Sequence, residues 1–349
     1  MGKRVLYADY IRAIACLFVV VIHVSGSSSW YNIDVHTNEW AILEIYNTLV
    51  RCAVPLFVML SGIFFLDPER NVTFRYLANK IIKLLVIYIL WSAFYALAGS
   101  LLNGSFQLSW AGFKTLVAGT LGSKFHLWFI PMIMGLYLIT PFVRPIARET
   151  RLMRYGIVLF FAFAVFKPFL MLLWPNEILS SILNRIPLEM FTGFLGYYLL
   201  GYYLSKNDLP KLWCRICYAL CGAGLVVTAL MAIQQARQTN EPGGFLSGEF
   251  SIVVFLTAVS IFIACKRKFT ANTPPGGGVY RAISFISDQS LGIYLTHVFF
   301  IELFEWAGLS VMSFTPILSV PAITVLVLVC SAGATYLLKK IGKISAWII

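Results

Sequence analysis

The chain has 349 residues, of which 59% are hydrophobic and 12% are charged, and its mean hydropathy is +0.81. Soluble globular domains carry about a quarter charged residues, so this composition excludes a soluble enzyme and predicts a polytopic membrane protein. The net charge of +12 would suggest a nucleic-acid partner in a soluble protein. Here the basic residues lie at the ends of apolar segments, which favours contact with membrane lipids or an anionic cofactor, and no nucleic-acid partner is expected.

Ten apolar runs are long enough to cross a bilayer, which takes about twenty residues. A weaker stretch at 107–122 is interpreted as a re-entrant or interfacial piece. No separate soluble domain is expected, so residues 1–349 are predicted to form one all-α transmembrane domain. The ten runs lie near residues 11–30, 41–66, 77–101, 126–146, 153–174, 189–205, 212–233, 249–265, 283–305 and 317–338.

The placement of basic residues supports this count. If the N-terminus is cytoplasmic, 21 of the 27 lysines and arginines fall on the inner side. A wrong number of helices would disrupt the alternation between inner segments rich in basic residues and outer segments with few of them. The charges therefore predict ten spans with both termini in the cytoplasm.

The first run, IRAIACLFVVVIHVS, contains two ionisable residues, Arg12 and His23. His23 lies eleven positions after Arg12, which is roughly 1100° of helical rotation and about 16 Å of rise, so both side chains share one helix face. With Arg12 near the cytoplasmic boundary, His23 falls near the middle of the bilayer, where ionisable residues mark functional sites. His23 is a candidate base and Arg12 a candidate anion clamp. The alternative is a polar pair that only joins neighbouring helices.

The second run contains RCAVPLFVMLSG, in which Arg51 lies roughly as deep as His23. An arginine at that depth needs a partner, a water-filled cavity or an anionic substrate, so Arg51 is a candidate substrate-binding residue. Pro55 is expected to open the helical hydrogen-bond ladder near it. The alternative is an arginine that extends to the interface.

The fourth and ninth runs place aromatic and polar groups near the outer surface. FHLWF opens the fourth run with His126 and Trp128, and SLGIYLTHVFFIELFEW carries His297 and Glu302 in its outer half. Such groups suit a hydroxyl-rich acceptor, so all four are candidate substrate-binding residues. For Trp128 the alternative is an ordinary place in the aromatic belt.

Basic residues cluster at the inner ends of the third and fourth runs. Lys80 and Lys83 share one helix face, and Arg144 and Arg148 belong to the next inner cluster. These residues orient the helices by default. Together with Arg12 they are also candidates for binding an anionic cofactor.

Motifs of soluble enzymes are missing, because the chain has no P-loop, no H-E-x-x-H and no G-x-S-x-G. Cys214, Cys217 and Cys221 have helical spacing, but no histidine or carboxylate completes a ligand set. No metal site is therefore expected.

Four blocks, in order along the chain, resemble the acyltransferase 3 family of integral membrane acyltransferases. They are DYIRAIA followed by His23, then VPLFVMLSG, HLWFIPMIMGLYLITP and SLGIYLTH. RxxVPLF and HLWF resemble the surface-polysaccharide O-acetyltransferase branch, of the enterobacterial common antigen type. Many members carry R-x-x-R at the start of the third helix, where this chain has Lys80 and Lys83, which keep the charge without the bidentate fork.

The resemblance implies transfer of an acetyl group from cytoplasmic acetyl-CoA to a hydroxyl of a surface or lipid-linked polysaccharide. Arg12 and His23 would be the functional pair, and acetyl-CoA would be the donor with no permanently bound cofactor. The location would be a bacterial inner membrane, and the sequence does not indicate an oligomeric state. A rival hypothesis is a transporter or flippase for an anionic lipid-linked glycan, which would neither bind nor hydrolyse acetyl-CoA.

Overall fold

The structure is a computed structural model that describes residues 5–185, 189–243, 248–269, 277–342 and 345–349. Within these residues the secondary structure is helical, with no strand. The helices are α1 Leu6–Ser25, α2 Ser28–Asn32, α3 Asn38–Val50, α4 Ala53–Phe65, α5 Phe74–Leu102, α6 Trp110–Gly122, α7 Phe129–Arg148, α8 Thr150–Phe160, α9 Lys167–Leu173, α10 Glu177–Asn184, α11 Glu189–Lys206, α12 Lys211–Thr239, α13 Ile252–Lys268, α14 Gly278–Trp306, α15 Pro316–Lys339 and α16 Ser345–Ile348. A 3₁₀ turn at Phe125–Trp128 precedes α7, and a π-helical segment at Phe161–Phe166 joins α8 to α9.

Helical segments lie at the positions of the ten predicted runs, although some runs are divided between two helices, and ten membrane crossings stay a prediction. In the described part of the chain, seven segments are long and apolar enough to cross a membrane. They are Leu6–Asn32, Asn38–Phe65, Phe74–Leu102, Phe125–Arg148, Thr150–Leu173, Lys211–Thr239 and Pro316–Lys339. The chain therefore has the character of a multi-pass membrane protein.

The three remaining long helices differ from these seven for separate reasons. Helix α11 has 18 residues, including four tyrosines, and α13 has only 17. Helix α14 carries several charged residues, Arg281, Asp288, Glu302 and Glu305. These helices nevertheless contain fully buried side chains, such as Tyr197 on α11 and Phe262 on α13.

Helix α1 lies at the centre of the bundle and packs against α3, α4, α13, α14 and α15. The α4–α11 contact is close because glycines face backbone. A Cβ atom on Gly201 would lie 2.1 Å from the carbonyl oxygen of Met59, and one on Gly62 would lie 1.9 Å from that of Tyr198. Gly196 instead faces α8, where an added Cβ would lie 1.9 Å from the Phe160 ring. These glycines thus allow close helix packing, whereas a Cβ on Gly193 would make only ordinary contact.

The second predicted run is interrupted where its polar residue lies. Helix α3 ends at Val50 and α4 begins at Ala53, so Arg51 lies at the junction. Pro55 lacks the N–H that would bond to the Arg51 carbonyl, which explains why the break occurs here. The expected opening of the ladder is thus present and places Arg51 between two helices.

Candidate functional site

A cavity of about 350 Å³ lies along α1. Its α1 wall extends from Arg12 to Gly26, a stretch of roughly 21 Å along the helix axis. Residues from α2, α3, α4, the 3₁₀ turn, α7 and α14 also line it, together with Arg51 and with Glu249 from the connection before α13. This volume is within the range of small-molecule sites.

Arg12 and His23 both line this cavity, as their spacing on one helix face predicts. The Arg12 guanidinium donates to Ser287 Oγ at 3.0 Å and contacts Asp9 Oδ1 at 3.4 Å. Ser287 Oγ in turn donates to Asp9 Oδ1 at 2.9 Å. Arg12 also lies 5.5 Å from the ring centroid of Phe64. These contacts orient a charged fork at one end of the cavity.

Three histidines from separate elements meet at the other end of this wall. His23 comes from α1, His126 from the 3₁₀ turn and His297 from α14. The ring centroids of His23 and His297 are 4.8 Å apart, and that of His126 lies 6.1 Å from His23 and 5.3 Å from His297. His23 and His126 line the cavity, whereas His297 is fully buried behind His23.

The contacts of His297 and His23 assign the tautomer of each neutral ring. His297 Nδ1 lies 3.1 and 2.7 Å from the carbonyl oxygens of Ile293 and Tyr294, so it carries the hydrogen, and Nε2 is an acceptor. His23 Nδ1 lies 3.2 Å from that Nε2 and 2.8 Å from the Val19 carbonyl oxygen. Because both neighbours accept, His23 Nδ1 is the donor, and its Nε2 keeps a lone pair.

The Tyr95 hydroxyl bridges two backbone groups of α14 beside His297. The Tyr95 hydroxyl donates to the Leu295 carbonyl at 2.8 Å and accepts from the Phe299 N–H at 3.2 Å. An α-helix would join those two backbone groups directly. The hydroxyl therefore braces this turn of α14. The Tyr95 ring also lies 4.9 Å from the His126 ring.

His126 is held by its backbone rather than by its ring. The Tyr294 hydroxyl donates to the His126 carbonyl oxygen at 2.6 Å. The side chain is 1% exposed, and neither ring nitrogen has a hydrogen-bond partner within the described residues. Both nitrogens are therefore available to a ligand in the cavity.

Helix α3 and the junction that follows it carry three polar residues at i, i+3 and i+7, namely Glu44, Asn47 and Arg51. Glu44 is 1% exposed and accepts from Trp30 Nε1 at 3.0 Å and from the Thr48 hydroxyl at 3.3 Å. Asn47 and Arg51 line the cavity. Neither Glu44 nor Asn47 was predicted as a site residue, although their i, i+3, i+7 spacing with Arg51 places all three on one face.

Comparison with known proteins decides the family. The profile described as "Acyltransferase domain" matches residues 5–336, almost the whole chain. The chain belongs to the acyltransferase 3 family. The resemblance of the sequence blocks to this family is thereby confirmed, whereas the common-antigen branch stays a prediction.

Curated proteins with similar sequences are named for the export of a polysaccharide. The "Probable poly-beta-1,6-N-acetyl-D-glucosamine export protein" of Staphylococcus aureus (strain MRSA252) is 26% identical over 212 residues, 59% of this chain and 58% of the relative. The protein of the same name from Staphylococcus epidermidis is 23% identical over 211 residues, again 59% of this chain and 58% of the relative. The matched part thus spans little more than half the length of these relatives. No solved structure matches the chain significantly.

Of the two other outer residues predicted to bind the substrate, Trp128 and Glu302, one lines the cavity. Trp128 borders it and is 41% exposed. Glu302 instead pairs with Lys124, the residue before the 3₁₀ turn. Glu249 also lines the cavity and lies in a connection where no local sequence pattern distinguishes it.

The inner basic residues lie away from the cavity lining. Arg144 donates to the carbonyl oxygens of Phe65, Asp67 and Arg70 at 2.9–3.1 Å, so its fork fastens the α4–α5 loop. Lys83 donates to the backbone oxygen of Ile349 at 2.9 Å. Lys80 and Arg148 are exposed. A cofactor-binding role for these four residues stays a prediction.

Proposed function

We propose that this chain is a membrane O-acetyltransferase that moves an acetyl group from cytoplasmic acetyl-CoA to a hydroxyl of a surface or lipid-linked polysaccharide. Membership of the acyltransferase 3 family supports the reaction class. The observation that carries the proposal is that Arg12, with its oriented guanidinium, and His23, whose Nε2 keeps a lone pair, line the same cavity.

The proposed topology has ten crossings, both termini in the cytoplasm and one domain over residues 1–349 in a bacterial inner membrane. Seven apolar segments and the inner bias of basic residues support it. In this orientation Arg12 lies near the cytoplasmic end of the cavity. Donor and acceptor can then meet at His23 from opposite sides of the membrane.

Arg12 is proposed to bind an anionic group of acetyl-CoA on the donor side. Its fork is pre-oriented by Asp9 and Ser287, and guanidinium groups match phosphate geometry. Lys80, Lys83 and Arg148 are proposed to add positive charge on the cytoplasmic side, and Arg144 contributes charge there while its fork holds backbone carbonyls.

His23 Nε2 is the proposed base. It removes the proton from the acceptor hydroxyl, the oxygen attacks the thioester carbonyl, the C–S bond breaks, and the CoA thiolate takes the proton from His23. Alternatively, His23 Nε2 attacks the thioester carbonyl first, the C–S bond breaks and CoA leaves as the thiolate. The acceptor oxygen then attacks the acetyl carbon, the bond between that carbon and Nε2 breaks, and the hydroxyl proton passes to the thiolate. Arg51 and His126 lie on the same cavity, where they can position the acceptor or stabilise the developing oxyanion.

The acceptor is proposed to be a surface polysaccharide. Sequence blocks favour the common-antigen type of acceptor, and the name of the staphylococcal relatives contains poly-β-1,6-N-acetyl-D-glucosamine. That name also favours a second candidate function, the export of a glycan without covalent chemistry.

The deciding experiment incubates the purified protein in lipid nanodiscs with radiolabelled acetyl-CoA and β-1,6-linked N-acetylglucosamine oligomers or membrane glycan extracts. We expect labelled O-acetyl glycan from wild-type protein and none from His23→Ala. A wild-type protein that neither binds acetyl-CoA nor labels any glycan, yet moves glycan across vesicles, would establish the export function instead.

A further inference from the structure

Buried polar atoms without partners cluster on one part of the cavity wall. Within the described residues, Asn47 Oδ1, Arg51 Nε and both ring nitrogens of His126 have no hydrogen-bond partner. All three residues line the cavity. Because buried polar groups are nearly always satisfied in folded proteins, such a cluster indicates a place where a ligand supplies the missing bonds.

Asn47 is held so that its oxygen is the available atom. Its Nδ2 lies 3.3 Å from the Ile22 carbonyl oxygen and 3.4 Å from Ser25 Oγ. A carbonyl can only accept, so this assigns the nitrogen and leaves Oδ1 as an acceptor without a partner. The side chain is only 2% exposed. Gly26 permits this approach, since a Cβ there would lie 3.1 Å from Asn47 Nδ2.

The charges around Arg51 argue against an anion at this point. Glu44 and Glu249 both interact electrostatically with Arg51, although neither forms an ion pair with it in the described part of the chain. The charge of Arg51 is thus offset by neighbouring carboxyl groups, of which Glu249 lines the cavity itself, so an anion entering at this point would gain little. A hydroxyl group carries no charge and can both donate and accept, which suits the acceptor Asn47 Oδ1 and the donor Arg51 Nε.

We propose that Asn47, Arg51 and His126 form a subsite for an uncharged, hydroxyl-bearing sugar ring of the acceptor. Asn47 Oδ1 accepts from one hydroxyl, Arg51 Nε donates to another, and His126 binds a third polar group of the ring. Trp128 borders the same cavity and offers an aromatic surface for stacking. This inference rests on the proposed function and assigns Asn47 a role in recognising the acceptor.

The test measures binding of a neutral β-1,6-linked N-acetylglucosamine oligomer, and of its sulfated counterpart, to the full-length protein in nanodiscs. Asn47→Leu removes the acceptor oxygen and is expected to weaken neutral-oligomer binding roughly 3- to 10-fold, the size of one lost hydrogen bond. The matched control is Asn207→Leu, whose amide donates to the Tyr203 carbonyl away from the cavity, and it should bind like wild type. Equal affinity of Asn47→Leu and wild type would overturn the subsite.

Wild-type protein gives an independent test should Asn47→Leu fail to fold. Neutral-oligomer affinity should change little between low and high salt and should exceed that of the sulfated oligomer. Preference for the sulfated oligomer, with an affinity that falls steeply as salt rises, would show an anion site and overturn the inference.

Acetyl transfer is measured in the same preparation. If wild-type protein binds the neutral oligomer but transfers no acetyl group, the proposed function is contradicted and the subsite stands. If Asn47→Leu transfers acetyl groups with the same acceptor KM as wild type, the subsite alone is contradicted.

Discussion

His297 Nε2 lies 3.2 Å from His23 Nδ1, and the two rings meet edge to face at 66°. Backbone carbonyls fix the hydrogen on His297 Nδ1, so His297 presents a lone pair to His23. This arrangement resembles the logic of a catalytic triad, in which an acceptor behind the base selects its tautomer. Here the acceptor is a histidine rather than a carboxylate.

The first prediction concerns His23. Substitution by alanine removes the base and should lower acetyl transfer by at least about 10²-fold, the lower end of the contribution of general acid–base catalysis. Transfer is measured with labelled acetyl-CoA and an acceptor oligomer. The thermal melting of the variant in detergent should match that of wild type, and a folded His23→Ala protein with undiminished transfer would contradict the assignment.

The second prediction separates His297 from the substrate. His297→Leu leaves His23 Nδ1 without its side-chain acceptor and should lower kcat about 10- to 100-fold while changing the acceptor KM little. His297→Gln places an amide oxygen near the former Nε2 and should recover part of the lost kcat. If both variants mainly raise the acceptor KM, His297 contacts the substrate, as the sequence analysis expected.

The third prediction concerns the donor end of the cavity. Arg12→Lys keeps the charge but loses the fork, so the KM for acetyl-CoA should rise about 10-fold, as expected when a charge-assisted bond is lost. Ser287→Ala should raise it by a smaller factor, because Asp9 still orients the guanidinium. The exposed Arg215 on α12 provides the matched control, since Arg215→Lys should leave the KM unchanged. A rise confined to the acceptor KM would contradict the placement.

Helical periodicity explains why the α1 part of the site could be predicted. Eleven residues are close to three turns, so Arg12 and His23 had to share a face wherever α1 packed. The same reasoning predicts that Asn47, four positions before Arg51, lies on the same face as Arg51. The apolar runs likewise anticipated the long helical segments, because their length and composition are local properties of the chain.

Other parts of the site depend on packing between distant segments. His297 was expected to face the acceptor, but its position behind His23 results from the approach of α14 to α1, which no local pattern encodes. Arg144 was predicted only as a candidate for binding an anionic cofactor, and the sequence did not indicate that its fork holds the carbonyls of Phe65, Asp67 and Arg70. Glu249 comes from a connection whose path depends on tertiary structure.

The fourth prediction tests the packing that supports the site. Gly201→Ala places a methyl group against the Met59 backbone and should destabilise the fold by about 1–3 kcal/mol, as overpacking does. Gly222→Ala on α12 is the control, because nothing lies within 4 Å of the added atom. That variant should melt at or slightly above the wild-type temperature. Equal melting temperatures for the two variants would contradict the close α4–α11 contact.

The last prediction concerns the ion pair between Glu302 and Lys124, which joins α14 to the residue before the 3₁₀ turn that carries His126. Both side chains are a little over one quarter exposed, so the pair should contribute less than about 1 kcal/mol to stability. Glu302→Gln should therefore loosen the turn and raise the acceptor KM by no more than about 5-fold. Lys124→Gln should have a similar effect, and the double variant should be no worse than either single variant, because both remove the same contact. If the acceptor KM rises well above 10-fold in Glu302→Gln but stays near the wild-type value in Lys124→Gln, the Glu302 carboxylate instead binds the acceptor directly.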